Sequence, residues 1–456
     1  MPIWDLLIKI NSLKKSEKLN PQQIKALQLK RFRKLLKHTL RKSKFYRDYY
    51  ISHGIKINSI DEITPESLPP INKKILMDNY DDLVCDPSLK RKDLEAFIID
   101  PLNLDKKYKN IYQVIHTSGS TGTLGIFVYG PDDWNLLRAL VLSRISKMLN
   151  PFKKTKFAFI GVVDGHYAGI SLVKDAPKFL YKLLLISINM PLKHIIQKVN
   201  VFNPDIISGY SSGIYLLAQE QLKGNINIKP KRILCSADPL TLEMAEVINK
   251  AFSVYPINFY AASESIGMGV QCEYHRGIHL FNDWHYFEVV DKEFRSVNPG
   301  ESGRLVMTEL YNYTQPLIRY QMNDEVILDD KPCQCGCPFP VIREFAGRNE
   351  DYLWFKKNGS EEDFIHPGLI IELFSPGLEK LQVVQTEKNR LLMKVIVSQN
   401  KDIVIPRINK RMDKILEDKG LKEFVSFDTI VVDEIENDAT TGKYKVIIPF
   451  KDRVRI

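Results

Sequence analysis

The sequence predicts an α/β protein: a large N-terminal domain of parallel strands flanked by helices, then a small C-terminal α+β domain. Three observations lead there. Between about residues 111 and 345, short apolar runs end in small or polar residues and are followed by helical patterns. After Arg348 the pattern changes to an alternating hairpin, a helix and two further strands. With 456 residues, the chain is too long for one ordinary core.

Taken in order, residues 1 to 110 read as a mostly helical lead-in, with a turn at Pro69-Pro70. Strand-like Tyr112 to Ile115 and Gly125 to Tyr129 bracket a Ser/Thr/Gly loop. Phe157-Ala158-Phe159-Ile160 runs into Gly161. Ile206-Ile207 runs into Ser208-Gly209, then a helical pattern from Ile214 to Leu222. Ile233-Leu234-Cys235 runs into Ser236-Ala237-Asp238, then a helix through Phe252. Ile257-Asn258-Phe259 runs into Tyr260-Ala261-Ala262. In parallel sheets, ligands collect at the carboxyl ends of the strands, so these small-residue turns are where a site is expected. Residues 1–347 form the expected large domain and 348–456 the small one. In the latter, Leu381 to Val397 alternates like a hairpin around Glu387-Lys388-Asn389. A helix from about Ile405 to Lys419 stops at Gly420, and strands near Thr429 to Val432 and Lys445 to Phe450 close the chain.

Composition excludes several classes. Apolar residues make up 44% and charged residues 26%, which is globular rather than disordered. The N-terminus lacks the apolar core of a signal peptide, and the most apolar stretch, near Phe179 to Leu192, is too short to span a bilayer. A cytoplasmic protein with ATP available is expected. Six cysteines in this length do not suggest a disulfide scaffold. The net charge of +10 equals the ten Lys and Arg residues between Lys25 and Arg47, a segment without an acid. Leu27, Phe32, Leu35, Leu36 and Leu40 give it helical spacing. It reads as an amphipathic helix with a solvated basic face, with peripheral contact to an anionic surface as the alternative. The basic residues are not interleaved with a stacking surface, so no nucleic acid is expected as partner. Monomer and homodimer are both compatible with the sequence.

The strongest local signal is Thr117-Ser118-Gly119-Ser120-Thr121-Gly122-Thr123. Its glycines let backbone N–H groups face inward and its hydroxyls add donors, as a polyphosphate cradle needs. The Gly-Lys-Ser/Thr of a Walker loop is missing, and a simple hairpin turn is the competing reading.

The segment resembles the phosphate-binding loop of the adenylate-forming superfamily of acyl-CoA synthetases, luciferases and peptide-synthetase adenylation domains. Four further matches follow in that family's order. Tyr260-Ala261-Ala262-Ser263-Glu264 resembles the aromatic-x-x-Thr-Glu motif. Tyr320-Gln321-Met322-Asn323-Asp324 resembles Tyr-x-x-Gly-Asp, and Pro316-Leu317-Ile318-Arg319 before it resembles the phenylacetate–CoA ligase branch, which includes capsule-locus members. Gly347-Arg348-Asn349-Glu350-Asp351 resembles the hinge motif. Thr441-Gly442-Lys443 resembles the terminal Gly-Lys motif.

The resemblance implies mixed as well as parallel sheets in the large domain and a mobile small one. It implies ATP-dependent conversion of a carboxylic acid into an acyl-adenylate, then transfer of the acyl group to a thiol, CoA in the first instance. An amine, a hydroxyl or a carrier-protein thiol is the alternative acceptor, and a non-catalytic binding protein is the remote one. Asp324 would accept hydrogen bonds from ribose, and Glu264 would hold Mg²⁺ with the phosphates. Tyr260, Ala261 and Ser263 would flank the nucleotide, with Ser236, Ala237 and Asp238 along the adenine's other edge. Arg348 would contact ribose or phosphate, Glu350 would act as pivot, and Lys443 would be the catalytic lysine. His166, Tyr167, Gly169, Tyr210 and Gly267 are the acyl-pocket candidates. Three departures stand out: the loop lacks its usual terminal lysine, Asn323 replaces a glycine, and Glu350 replaces an aspartate.

Cys272-x-x-His275 and Cys333-x-Cys335 offer two ligand pairs on tight turns, enough for a tetrahedral Cys₃His zinc site of structural type that would staple residues 272–337. Cys337 and His279 are possible substitutes. The same pairs are a feature of many phenylacetate–CoA ligase-like proteins.

Overall fold

The computed structural model describes all residues except 1–2, 118–123, 146–153, 189, 346–352, 358–361, 366–368, 371–372, 374–376, 399, 437–445 and 451–456. The lead-in is helical. Its longest helix, Pro21–Lys42, opens on an Asn20/Gln23 capping box with Pro21 in the first turn. Ile24, Phe32, Leu35, Leu36 and Leu40 form its buried stripe, while most of its cations face outward. Arg31 is an exception: its guanidinium lies 3.4 Å from the Trp284 ring centroid, and burial pulls its pKa down to about 10.

β1 (Gln113–His116) and β2 (Ile126–Tyr129) form an antiparallel pair. The main sheet starts with five parallel strands: β3 (Thr155–Gly161), β4 (Tyr181–Ser187), β5 (Ile206–Tyr210), β6 (Arg232–Ser236) and β7 (Ile257–Tyr260). It continues antiparallel through β8 (Gly269–Gln271), β9 (Ile278–Leu280), β10 (His285–Val290), β11 (Ser302–Glu309), β12 (Tyr320–Leu328) and β13 (Val341–Phe345). The eleven strands form one mixed sheet in the order β10-β11-β12-β13-β9-β8-β7-β6-β5-β3-β4, flanked by helices. The β3 to β7 strands follow the apolar runs of the sequence closely. Their residues are mostly buried or half-buried, which favours continuous apolar stretches, and Lys182 of the edge strand β4 is exposed.

Beyond β14 (Leu353–Lys356) and β15 (Glu362–Ile365), a hairpin of β16 (Leu378–Glu387) and β17 (Arg390–Val397) turns at Lys388-Asn389. β18 (Ser426–Val431) pairs parallel with β17, and β19 (Ile447–Ile448) parallel with β16, giving a small four-stranded sheet. Its helix spans Lys401–Asp418, starting before the expected Ile405. Asn400 caps it by accepting from Asp402 N, and Pro406 lies inside the helix rather than at its start. The expected boundary at 347/348 falls outside the described residues.

The small unit does not stand apart. Val162, Ile188, Leu192 and Leu216, all from the large unit, share one apolar cluster with Leu381, Val383, Met393, Ile408 and Met412. Lys419, 1% exposed, pairs with Asp363 at 3.0 Å and donates to the Ile188 carbonyl at 3.1 Å across this contact.

Candidate active site

Two cavities open at the carboxyl ends of the parallel strands and share Ala237, Phe259 and Ala261. The first, of about 420 Å³, lies between the 237–242 turn, Tyr260 and the Arg343 to Phe345 end of β13. The second, of about 570 Å³, runs behind it between the sheet and the helices Pro131–Ile145 and Ala168–Lys174.

The smaller cavity is built around a carboxylate. The Tyr260 phenol donates to Asp324 Oδ2 at 2.6 Å, and Tyr260 packs edge-on against Phe345 at 5.0 Å. A bulge presents Asp324: across β11 and β12 the register jumps from Arg304–Glu325 to Val306–Gln321, leaving Met322 to Asp324 opposite Leu305. Asn323 sits in this extended strand and lines the larger cavity, so no left-handed turn is needed there. Ala237 takes the left-handed backbone (φ 72°), which turns the chain sharply at the end of β6. Asp238 follows it, and its carboxylate accepts from the N–H groups of Ser211 and Ser212 at a helix N-terminus. That carboxylate anchors the turn, and Asp238 lines the smaller cavity beside Ala237.

The larger cavity is also lined by Thr117, Ser263, Glu264 and a residue the sequence did not single out, Lys73. Thr117 N donates to Gly125 O, and Gly125 N donates to Thr117 Oγ1, both at 2.9 Å. These bonds close the neck of the loop whose Ser118, Gly119, Ser120, Thr121, Gly122 and Thr123 lie outside the described residues. Ser263 Oγ donates to the His116 carbonyl at 3.3 Å, tying the Glu264 segment to the same neck. Lys73 begins the helix Lys73–Asp78, capped by Asn72. Ile71 bridges to Tyr320 through Ile71 N to Arg319 O (3.1 Å) and Gln321 N to Ile71 O (2.8 Å). This brings Lys73 against the neck: a Cβ on Gly125 would lie 2.8 Å from Lys73 Cε. Burial draws the Lys73 ammonium below the usual lysine range, and the charge of Glu264 opposes that shift. The loop lacks its own lysine, and Lys73 lies against its neck. Only the Pro69-Pro70 turn hinted that this segment is specially placed.

Beneath the Glu264 turn lies a buried polar group. Ser265 Oγ is 2.9 Å from His285 Nε2 and 3.2 Å from the Tyr311 hydroxyl. Burial beside them pushes the Glu309 carboxyl up to about 8.

The larger cavity takes its lining from alternate residues of three strands, Phe157 and Phe159, Ser208 and Tyr210, Leu234 and Ser236, and from Phe259 of β7 with Ala261 just past its end. Tyr167, Gly169 and Tyr210 line it among the acyl-pocket candidates. His166 and Gly267 do not. His166 is buried against Phe97, ring centroids 5.0 Å apart, and burial drives its pKa down to about 4. Gly267 backs onto Val141 and Leu137 behind the wall, where a Cβ would meet Val141 Cγ2 at 3.0 Å. Both expected roles are corrected on that account. Arg348, Glu350 and Lys443 lie outside the described residues.

The cysteines gather elsewhere. Ligand atoms of Cys272, His279, Cys333 and Cys335 lie within 4.8 Å of one another. Cys272 Sγ is 3.7 Å from Cys333 Sγ, and Cys335 Sγ is 3.5 Å from His279 Nε2. A tetrahedron with Zn–S bonds of about 2.3 Å has edges of roughly 3.8 Å, so the donors fit zinc. His275 does not join them. Its left-handed backbone (φ 52°) turns the ring onto Tyr255, centroids 4.3 Å apart, and His279 on β9 takes the fourth position. Cys337 stays outside the cluster and donates its N–H to Cys335 Sγ at 3.4 Å.

No family model matches the chain. It is 25% identical to Protein CapK of Staphylococcus aureus over 391 residues, covering 82% of this chain and 79% of that protein. It is 25% identical to a phenylacetate-coenzyme A ligase of Thermus thermophilus over 347 residues, 74% and 73% of the two chains. A crystal structure of 2-hydroxyisobutyryl-CoA ligase in complex with 2-HIB-AMP and CoA has a similar fold, with TM-score 0.65 at 18% identity over 96% of this chain and 91% of that one.

Proposed function

We propose that this chain, a member of the adenylate-forming ligase superfamily distantly homologous to phenylacetate–CoA ligases and CapK, activates a carboxylic acid with ATP and passes the acyl group to a thiol, that of CoA. The observation that carries this reading is the pair of cavities meeting at Ala237, Phe259 and Ala261, with Asp324 lining one and Lys73 and Glu264 lining the other. Nucleotide fits the smaller cavity, where Asp324 accepts from ribose hydroxyls and Tyr260 holds that carboxylate in place. The acid lies in the larger one. Its carboxylate oxygen attacks the α-phosphorus, an O–P bond forms, the α–β bridge breaks, and pyrophosphate leaves with the electron pair. Lys73 meets the charge on the phosphates, and Lys443 completes the task from the C-terminal segment. Glu264 would hold Mg²⁺, which screens the phosphate charge when bound. Arg348 and Glu350 keep the nucleotide-contact and pivot roles of their motif. In the second step the thiolate attacks the acyl carbon and AMP leaves.

Cys272, His279, Cys333 and Cys335 would hold one structural zinc, a closed site without a position for substrate. No helix among the described residues is long and apolar enough to cross a membrane, and we place the reaction in the cytoplasm, where ATP is supplied. The test is pyrophosphate release across a panel of carboxylic acids. Acid-dependent release, lost in Lys443→Ala, is expected; silence across the panel would sink the reading.

A further inference from the structure

The larger cavity carries one feature that acid activation alone does not require. The face of helix Pro131–Ile145 that lines it consists of Arg138, Val141, Leu142 and Ile145, at i, i+3, i+4 and i+7. Three of the four are aliphatic. Phe157 and Phe159 of β3 form another wall. Arg138, half-buried, is the polar member of this otherwise aliphatic face.

Its partners among the described residues leave donors over. Arg138 donates to the backbone carbonyl of Asp175 and, at 3.4 Å, to Asn135 Oδ1. A guanidinium has five N–H donors in a planar fork suited to carboxylate and other oxygen acceptors. Among the described residues Arg138 forms no ion pair. The nearby Asp175 carboxylate is already engaged by Lys107 at 2.8 Å and by Trp134 Nε1 at 2.6 Å.

Arg138 also sits at the end remote from the chemistry. The helix Ala168–Lys174 starts just beyond the carboxyl end of β3, the end of the sheet where the nucleotide is proposed to bind, and leads away from it. At 1.5 Å per residue, the Asp175 carbonyl that holds Arg138 lies roughly 10 Å from Ala168. Tyr181, the first residue of β4, marks the same remote end, because β4 runs parallel to β3.

We infer that the cavity selects an elongated, mainly apolar carboxylic acid with an oxygen acceptor at the end opposite its reacting carboxylate, and that Arg138 reads that acceptor. The inference rests on the acid-activation reading above. Arg138 is a specificity residue here, and it also steadies the helix Ala168–Lys174 through the Asp175 carbonyl.

Two matched pairs of acids separate these roles: octanoate with suberate, and cinnamate with 4-hydroxycinnamate, each assayed by pyrophosphate release with the wild type and Arg138→Met. The wild type is expected to favour the member with the distal oxygen by about tenfold or more in kcat/KM. Arg138→Met is expected to lower kcat/KM for suberate and 4-hydroxycinnamate at least about tenfold more than for their partners. Release with equal kcat/KM inside each pair overturns this inference alone. So does an equal loss for all four acids in the variant, the mark of a purely structural arginine. Silence with these acids and with the broad panel overturns the acid-activation reading and this one together.

Discussion

The Tyr260 phenol donates a 2.6 Å hydrogen bond to the Asp324 carboxylate inside the smaller cavity, so the group expected to face ribose is oriented before any ligand arrives. A hydrogen bond to a charged acceptor is worth about 1.5–3 kcal/mol. Tyr260→Phe should raise the KM for ATP roughly tenfold with little change in the KM for the acid. Asp324→Ala should lower kcat/KM for ATP by about 10²-fold or more. Steady-state pyrophosphate assays with ATP and acid varied separately read both effects.

Lys73 gives a prediction in pH. An ammonium is charged below its pKa, and burial has lowered that pKa. Phosphate binding through Lys73 should therefore fade as pH rises through a value below the usual lysine range. Lys73→Met should lower adenylation about 10²-fold. Lys73→Arg should retain part of the activity and move its alkaline limb upward, because guanidinium stays charged. A pH–rate profile of all three proteins is the measurement, and identical alkaline limbs in wild type and Lys73→Arg would remove Lys73 from the site.

The metal site makes a distinction between neighbours. Elemental analysis should find about one zinc per chain. Cys333→Ser and His279→Gln should lose it and melt at lower temperature, whereas Cys337→Ser and His275→Gln should keep it. Zinc retained by His279→Gln and lost by His275→Gln would reverse the assignment.

Glu309 links stability to pH. Burial raises its folded-state pKa to about 8 from an ordinary 4.5. The neutral carboxyl thus contributes stability fully below its unfolded value, and that contribution is lost as pH rises through about 8. Glu309→Gln stays neutral throughout. The Tm of the variant minus that of the wild type should grow between pH 5 and 8, read by thermal melts in matched buffers. A flat difference would mean that Glu309 is ionised in the fold or titrates normally.

Much of the parallel half of the sheet could be read from sequence, because largely buried strands leave unbroken apolar runs ending at Gly161, Ser236 and Tyr260. The antiparallel half could not. β8 and β9 have three residues each, and only pairing with neighbours makes them strands. Asp324 and Glu264 were visible through local motifs. Lys73 was not, because a bridge to Tyr320 carries it to the loop from a distant part of the chain. Local spacing could not show that His275 packs on Tyr255 while His279 joins the cysteines, or that Asp238 also accepts from Ser211 and Ser212.

Val162, Ile188, Leu192 and Leu216 pack in one apolar cluster with the C-terminal unit, across the change of pattern after Arg348. Burying four such side chains contributes on the order of 6–12 kcal/mol, as much as the net stability of many whole domains. Cutting the chain there would uncover that face on one fragment and cost Lys419 its bond to the Ile188 carbonyl on the other. In the docked arrangement the two units should melt together, in a single calorimetric transition, and a fragment ending near Phe345 should aggregate rather than stand alone.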